Sequence, residues 1–249
     1  MRDDLLRLSG ADVPIAAVVA GRSGDGTHTG ILYSASKSDG NPAERIVYIL
    51  HQRWDCYLEH AEFLGPGQPS EAIYSRGYAY AIPAMEDESL WRVVRWCRLI
   101  AKRYIEENRR NGPPFAFKFG RGPHFAGQGS SDEGAYIMAE DGMGLTCSLF
   151  VLAVFAEAKA PLVQIETWER RDADDARHAT LVNRLGDPRY TPFMSPERLR
   201  AVRGQLPCVR VRPEETVAAY IQEGIPVYFH PTAEIGDWIL GILDYPARL

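Results

Sequence analysis

The stretch Gly142-Met143-Gly144-Leu145-Thr146-Cys147-Ser148-Leu149-Phe150-Val151 leads from a glycine-flanked approach into a long apolar run. The run continues to Lys159 and stops before Pro161. Its large apolar residues recur at helical spacing, at Phe150, Val151, Val154 and Phe155. The pattern predicts a buried helix that begins near Cys147 and ends by Pro161.

A cysteine at the start of a helix is well placed to act as a nucleophile. The first turn of a helix carries backbone N–H groups without helical partners and the positive end of the helix dipole. Both features favour the thiolate, which is the attacking form of cysteine. The same N–H groups can hold an oxyanion during acyl transfer. Cys147 is therefore a candidate nucleophile, although a free cysteine often serves only as a small buried hydrophobe.

The composition excludes several classes of protein. The net charge of −5, with 45% hydrophobic and 24% charged residues, is typical of a globular chain without a broad basic field. We therefore expect no nucleic-acid partner. The four cysteines are widely spaced and form no CxxC pair, which argues against a metal site, a cofactor held by cysteines and a disulfide framework. No apolar run reaches the length of a membrane span and no export signal is evident, so a cytoplasmic location is expected, with signal-less secretion left open.

Two histidines occupy corresponding positions on two expected strands. Residues 27–33 and 45–51 both have strand character, and a turn-rich segment separates them. A turn centred near Asp39-Gly40 would place His28 directly opposite His51 at the open end of the hairpin. A slip of one residue would put the two side chains on opposite faces of the sheet.

The rest of the pattern predicts further strands and helices. An amphipathic helix is expected over 89–110, with Cys97 on its buried stripe. Two other helices are expected, one capped by Ser195 and one over 213–223. The charge run 169–175 is interpreted as a solvated face. Additional strands are predicted at 13–20, 115–119, 162–168, 206–211, 225–230 and 238–243.

Three short motifs carry a family resemblance. They are His28-Thr29-Gly30-Ile31-Leu32-Tyr33, then His51, then Thr146-Cys147-Ser148-Leu149-Phe150-Val151. Their order resembles the circularly permuted branch of the papain-like NlpC/P60 superfamily, which includes the lecithin:retinol acyltransferase-like and YiiX-like proteins. The resemblance implies that Cys147 is the nucleophile, His28 the general base and His51 the polar residue that orients the base.

The resemblance also implies a fold. It predicts an α+β protein in which an antiparallel sheet packs against the helix that bears the cysteine. Residues 1–161 would form this papain-like core, with the helix 89–110 inserted. Residues 162–249 would form a C-terminal α/β elaboration, either a subdomain or a layer packed on the same core.

The activity implied is that of a thiol-dependent peptidase or amidase. An acyl-enzyme on Cys147 would form from an amide or isopeptide bond of a peptide or protein. Gln52 and the two polar residues of the glycine-rich loop 120–134, His124 and Gln128, are candidate substrate-binding residues. Acyltransferase and deamidase activities remain open, and a partner protein is compatible with the sequence. A non-catalytic binding or immunity-type protein on the same scaffold is the alternative from a different class.

Other pairings of a cysteine with a histidine also remain open. A papain-like order that is not permuted would pair Cys147 with His178 or His230. His178 lies in a polar stretch and is expected to be exposed. Cys56 has His60 four residues later, but no helix start accompanies that pair.

Overall fold

The structure is a computed structural model of the chain, and it describes residues 16–23, 26–36, 45–63, 78–81, 85–106, 112–137, 142–191 and 194–244. Within these ranges the fold is α+β, as expected, with a five-stranded antiparallel sheet and six α-helices. The strands are β1 (Ala16–Ser23), β2 (Gly26–Ser36), β3 (Arg45–Trp54), β4 (Tyr57–Glu62) and β5 (Tyr78–Ala81). The helices are α1 (Asp87–Ala101), α2 (Cys147–Glu157), α3 (Asp172–Leu185), α4 (Pro196–Arg203), α5 (Pro213–Ile221) and α6 (Phe229–Asp244), and a π-helical turn, Lys102–Glu106, extends α1.

The sheet has the strand order β4-β3-β2-β1-β5. Strand β1 continues through Gly21 and pairs with β2 as far as Ser23↔Gly26. Strands β2 and β3 pair from Ser36↔Arg45 to Ile31↔Leu50, a register two residues away from the one expected. A shift of two residues preserves the face of every side chain, so His28 and His51 still share a face. The Asp39-Gly40 turn lies outside the described residues.

Helix α2 is the central element of the core. It begins at Cys147 and ends at Glu157, which confirms the helix expected from the apolar run. The Thr146 side chain caps it by accepting a hydrogen bond of 3.2 Å from the Leu149 N–H. Every residue from Ser148 to Phe155 is buried, because β2, β3, α1 and α5 all contact this helix. A helix that is apolar all round requires such an enclosed position.

The residues just before Cys147 are held in place by the segment 112–119. The Leu145 N–H donates to the Pro114 carbonyl over 2.7 Å. Residues 112–119 form no strand, which corrects the sequence-based prediction, and Phe115 and Phe117 are both buried together with Ala116 between them. This segment packs into a small apolar cluster with Val182, Leu185 and Val202 from α3 and α4, so both sides of it are covered.

Gly144 is needed for this close approach. A Cβ atom built on Gly144 would lie 2.2 Å from the Pro114 carbonyl oxygen, and backbone cannot yield as a flexible side chain can. We expect Gly144→Ala to lower the free energy of unfolding by about 1–3 kcal/mol, the usual range for overpacking. Urea unfolding measures the effect. Gly127→Ala is the control, since a Cβ there meets no atom within 4 Å, and equal stability of the two variants would contradict the prediction.

The C-terminal part is helical rather than α/β. Within residues 162–191 and 194–244 the strands predicted at 162–168, 206–211, 225–230 and 238–243 are absent, and one isolated bridge, Val163↔Val227, replaces them. Residues 229–244 instead form α6, whose buried Phe229, Ile239 and Leu243 fit a helical period. Short apolar runs do not distinguish a strand from a buried helix, which explains the error.

The C-terminal helices share the main core with the sheet. Tyr220 of α5 is buried, and its hydroxyl donates to the Ala16 carbonyl of β1 over 2.8 Å. Val217, Ala218 and Ala219 of the same helix belong to the cluster that contains α2. Among the described helices, none has the length and apolar character needed to cross a bilayer.

Candidate functional site

A cleft opens at the N-terminus of α2, next to the first residues of β2 and the last residues of β3. Pairing of these strands is regular up to Ile31↔Leu50, and the cleft lies beyond that pair. Its lining residues come from β2 and β3, the segment 115–117, the start of α2, helix α3 and residues 209–213. They are Thr27, His28, Gln52, Arg53, Trp54, Phe115, Phe117, Thr146, Cys147, Ser148, Leu149, Arg177, His178, Leu181, Arg184, Val209, Arg210, Val211 and Pro213.

Cys147 is partly exposed at the bottom of this cleft. Burial raises the pKa of its thiol, while the backbone N–H of Thr29, the charge of Arg210 and the N–H of Ser148 lower it without offsetting the burial. The sequence-based expectation that the helix start favours the thiolate is therefore wrong on balance, and Cys147 is a neutral thiol. The two N–H groups that do favour the thiolate come from β2 and from α2.

The backbone N–H of Thr29 lies close enough to Cys147 to lower the pKa of its thiol. Thr29 is the residue next to His28 in β2, two positions before the last β2–β3 pair. The side chains of His28 and His51 alternate with those that face α2, and they share a face with Leu32 and Ile49. His28 and Cys147 nevertheless both line the cleft, whereas His51 is not among its lining residues.

The two histidines form one buried unit with a carboxylate. The distance from His28 Nε2 to His51 Nδ1 is 2.7 Å, and His51 Nε2 lies 3.5 Å from Glu59 Oε2 of β4. The Glu59 carboxylate also accepts a hydrogen bond of 2.9 Å from Arg53. Its interaction with His51 lowers the pKa of Glu59, so this carboxylate is ionised at neutral pH.

These distances define one consistent assignment of protons. Because the ionised Glu59 carboxylate lies 3.5 Å from His51 Nε2, we assign the His51 proton to Nε2, which leaves Nδ1 as an acceptor. The His28 Nε2–H then donates to His51 Nδ1, and the lone pair of His28 lies on Nδ1. A neutral imidazole with this tautomer is the form that a general base requires.

Burial makes both histidines sensitive to acid. It lowers the pKa of His28 to about 4 and, against the opposing effect of Glu59, the pKa of His51 to about 4. The unfolded chain therefore binds more protons than the folded one between pH 6.5 and about 4. Stability is greatest above this window and decreases as the pH falls through it.

We expect the free energy of unfolding to decrease by about 1.4 kcal/mol per pH unit for each proton taken up in that window. Urea titrations across the window measure the slope. His51→Gln is expected to reduce it. A flat pH profile would contradict the prediction.

The three predicted substrate-binding residues lie in different places. Gln52 lines the cleft, and its amide N–H group donates to the Trp54 and Pro113 carbonyls over 2.6 and 2.5 Å. Its buried Oε1 has no hydrogen-bond partner. His124 and Gln128 are not among the lining residues: His124 stacks on Phe119 and Gln128 contacts Arg95.

The structure shows where the residues of the alternative cysteine–histidine pairs lie. His178 is 1% exposed, so the expectation that it is exposed is wrong, and it lines the cleft with Nε2 at 3.9 Å from Cys208 Sγ. His230 is a surface residue that pairs with Glu169 at 3.2 Å. His60 stacks on Tyr48 and is hydrogen-bonded to Tyr33. Cys56 occupies the β3–β4 turn, where burial raises its thiol pKa to about 11.

Sequence reasoning missed the wall of the cleft opposite the sheet. Helix α3 presents Arg177, Leu181 and Arg184 to the cleft, at spacings of four and three residues that define one helical face. The spacing of Arg177, Leu181 and Arg184 is visible in the sequence. The charge run 169–175 before it, however, predicted only a solvated face.

Part of that charge run is in fact buried. Asp174 is 2% exposed and accepts hydrogen bonds from Arg171 at 2.9 Å and from Arg210 and Arg212 at 3.1 Å each. Burial raises the pKa of Asp174, but the three guanidinium groups outweigh it, so the net pKa is lowered. This cluster ties α3 to residues 210–212 and fixes the position of Arg210 at the cleft.

Across the part of the chain that the structure describes, no group of three or more histidine, cysteine or carboxylate side chains is arranged to hold a metal ion. Comparison of the chain with models of protein families, with curated proteins and with solved structures found no significant match. The candidate site therefore stands on its own geometry.

Proposed function

We propose that this protein is a thiol-dependent hydrolase that cleaves an amide or isopeptide bond, with a papain-like core of the permuted NlpC/P60 type. One observation carries the proposal. Cys147 and His28 line the same cleft, His28 Nε2 lies 2.7 Å from His51 Nδ1, and His51 Nε2 lies 3.5 Å from Glu59 Oε2. Acyl transfer requires a nucleophile, a base and a third group that orients the base.

The first chemical step moves one proton and forms one bond. The Cys147 thiol gives its proton to His28 Nδ1 while the sulfur attacks the carbonyl carbon of the substrate. The carbonyl oxygen becomes an oxyanion, which the N–H groups at the start of α2 stabilise. The imidazolium of His28 then protonates the leaving nitrogen as the C–N bond breaks, and a thioester on Cys147 remains.

The second step regenerates the enzyme. His28 accepts a proton from a water molecule whose oxygen attacks the thioester carbon. The C–S bond breaks, the sulfur recovers a proton from His28, and a carboxylic acid leaves. Transfer to an amine or alcohol instead of water would make the same site an acyltransferase.

The neutral thiol argues for proton transfer during the reaction rather than before it. Burial raises the pKa of Cys147 and lowers the pKa of His28, so both groups are uncharged at rest. A substrate carbonyl that stabilises the developing charge then drives the transfer. The same raised pKa is what a non-catalytic binding protein on this scaffold would show, and that protein is the competing hypothesis.

Trapping of the acyl-enzyme separates the two hypotheses. The purified protein is incubated with activated peptide esters, peptide anilides and isopeptides, and its intact mass is measured. We expect an acyl adduct on Cys147 that forms in the wild type and not in Cys147→Ala. Adduct formation should also become much slower in His28→Ala. The absence of an adduct with every substrate class would favour the binding protein.

A further inference from the structure

The charge of the cleft differs in sign from that of the chain. Four arginines line the cleft, Arg53, Arg177, Arg184 and Arg210, and no aspartate or glutamate is among the described lining residues. The whole chain has 33 acidic and 28 basic side chains, so this concentration is local rather than a consequence of composition. A concave site with one sign of charge attracts ligands of the opposite sign.

The arginines come from three parts of the fold. Arg53 extends from the end of β3, Arg177 and Arg184 from one face of α3, and Arg210 from the segment before α5. Arg53 and Arg210 are held by Glu59 and Asp174, which lie behind them and not in the lining. Each guanidinium has five N–H donors, so such a contact fixes the group and leaves donors for a ligand.

Two buried polar atoms in the cleft point independently to a ligand. Gln52 and His178 are each 1% exposed and both line the cleft. Gln52 Oε1 and His178 Nδ1 have no hydrogen-bond partner in the structure. Buried polar atoms without partners are uncommon and costly, and a bound polar molecule would satisfy them.

Part of the cleft lining is apolar. Trp54, Phe115, Phe117, Leu181 and Val209 form a wall that offers van der Waals contact and no charge. Clefts for small molecules or peptide side chains combine such a wall with a few polar groups that fix orientation.

We propose that the cleft selects substrates in which a carboxylate lies close to the reacting carbonyl, such as an acidic residue or a free C-terminus beside the scissile bond. Arginine binds a carboxylate through two parallel hydrogen bonds. Arg177 and Arg184 hold the carboxylate, and the apolar wall holds the adjoining chain. The inference rests on the proposed function only for the identity of the reacting atom, Cys147.

A matched pair of alkylating reagents tests the selectivity without a known substrate. Iodoacetate and iodoacetamide react at the same carbon and differ in the carboxylate. The ratio of their rates at Cys147, read by peptide mass spectrometry, is compared with the ratio for glutathione under the same conditions. We expect the ratio at Cys147 to exceed that of glutathione by about tenfold or more, and to decrease with added salt.

Three arginine variants test whether the preference for iodoacetate arises in the cleft. Arg177→Gln and Arg184→Gln should each move the ratio toward that of glutathione. Arg200→Gln removes the same charge from a side chain that is 72% exposed in α4, and it should leave the ratio unchanged. A ratio equal to that of glutathione, or one that Arg200→Gln lowers as much as Arg184→Gln, would overturn the proposal.

Two further results separate this inference from the proposed function. His28→Ala should slow both reagents together and preserve the ratio, because it removes the base and not the anion site.

If Cys147 reacts with neither reagent, the thiol mechanism fails, and the melting temperature of Cys147→Ala decides the anion site. Glutarate should then raise the melting temperature more than chloride or phosphate at equal ionic strength, and only in proteins that retain Arg184. No rise, or a rise with phosphate alone, would overturn the carboxylate assignment.

Discussion

Replacing Cys147 by alanine is expected to reduce hydrolysis by roughly 10⁵-fold or more, the scale at which a covalent nucleophile is lost. Cys147→Ser should recover little activity, because the cleft raises the pKa of the thiol and disfavours the anion of a hydroxyl even more strongly. Steady-state hydrolysis of whichever substrate forms the acyl adduct measures both effects.

His28→Ala is expected to cost about 10²- to 10⁴-fold, the range for loss of a general base. Glu59→Gln should cost less, since Glu59 acts on His28 only through His51 and is a positioning residue. A positioning role predicts a lower kcat with little change in KM, because the tautomer of His28 changes and the cleft does not.

A second cysteine–histidine pair supplies the control for this series. Cys208 Sγ lies 3.9 Å from His178 Nε2, and burial raises the Cys208 pKa to about 11. Cys208→Ala should retain at least a large part of the activity. If Cys208→Ala eliminated hydrolysis and Cys147→Ala did not, the assignment of the nucleophile would be wrong.

Replacing Asp174 by asparagine is expected to have the largest effect on stability. Three guanidinium groups, those of Arg171, Arg210 and Arg212, bond to this buried carboxylate. Removal of one charge takes a shared counter-ion from three arginines whose side chains are about 80% buried, although Arg171 keeps Glu215 and Arg212 keeps Asp237. Breaking a buried pair costs about 3–5 kcal/mol. The loss should appear as a lower midpoint of urea unfolding.

Asp175→Asn is the matched control for that experiment. Asp175 is the next residue of α3, its side chain is 38% exposed, and it pairs with Arg170 on the surface. An exposed ion pair contributes about 1 kcal/mol or less. Equal losses from Asp174→Asn and Asp175→Asn would show that burial of the carboxylate does not matter, contrary to the structure.

The same substitution also tests the link between the cluster and the cleft. Asp174 holds Arg210, which lines the cleft and lowers the pKa of Cys147. In an Asp174→Asn protein that remains folded, Arg210 is no longer fixed. The selectivity for iodoacetate over iodoacetamide should then decrease together with the stability, whereas Asp175→Asn should change neither.

The sequence alone determined the elements that local patterns specify. The apolar period predicts a helix from Cys147, and strand character predicts β2 and β3, because these signals depend only on neighbours along the chain. The shared face of His28 and His51 followed from the same period of two, and it survived an error of two residues in register. The order of the three motifs added the hypothesis of a thiol mechanism.

The tertiary structure decided the electrostatic state of the site and the composition of its walls. Burial raises the pKa of Cys147 and lowers the pKa of His28, and burial depends on elements distant in sequence. Arg177 and Arg184 of α3 and Arg210 line the cleft of the thiol only once α3 packs beside residues 115–117. Residues 229–244 form a helix rather than strands for the same reason: a short apolar run is compatible with either structure, and the surface that covers it selects one.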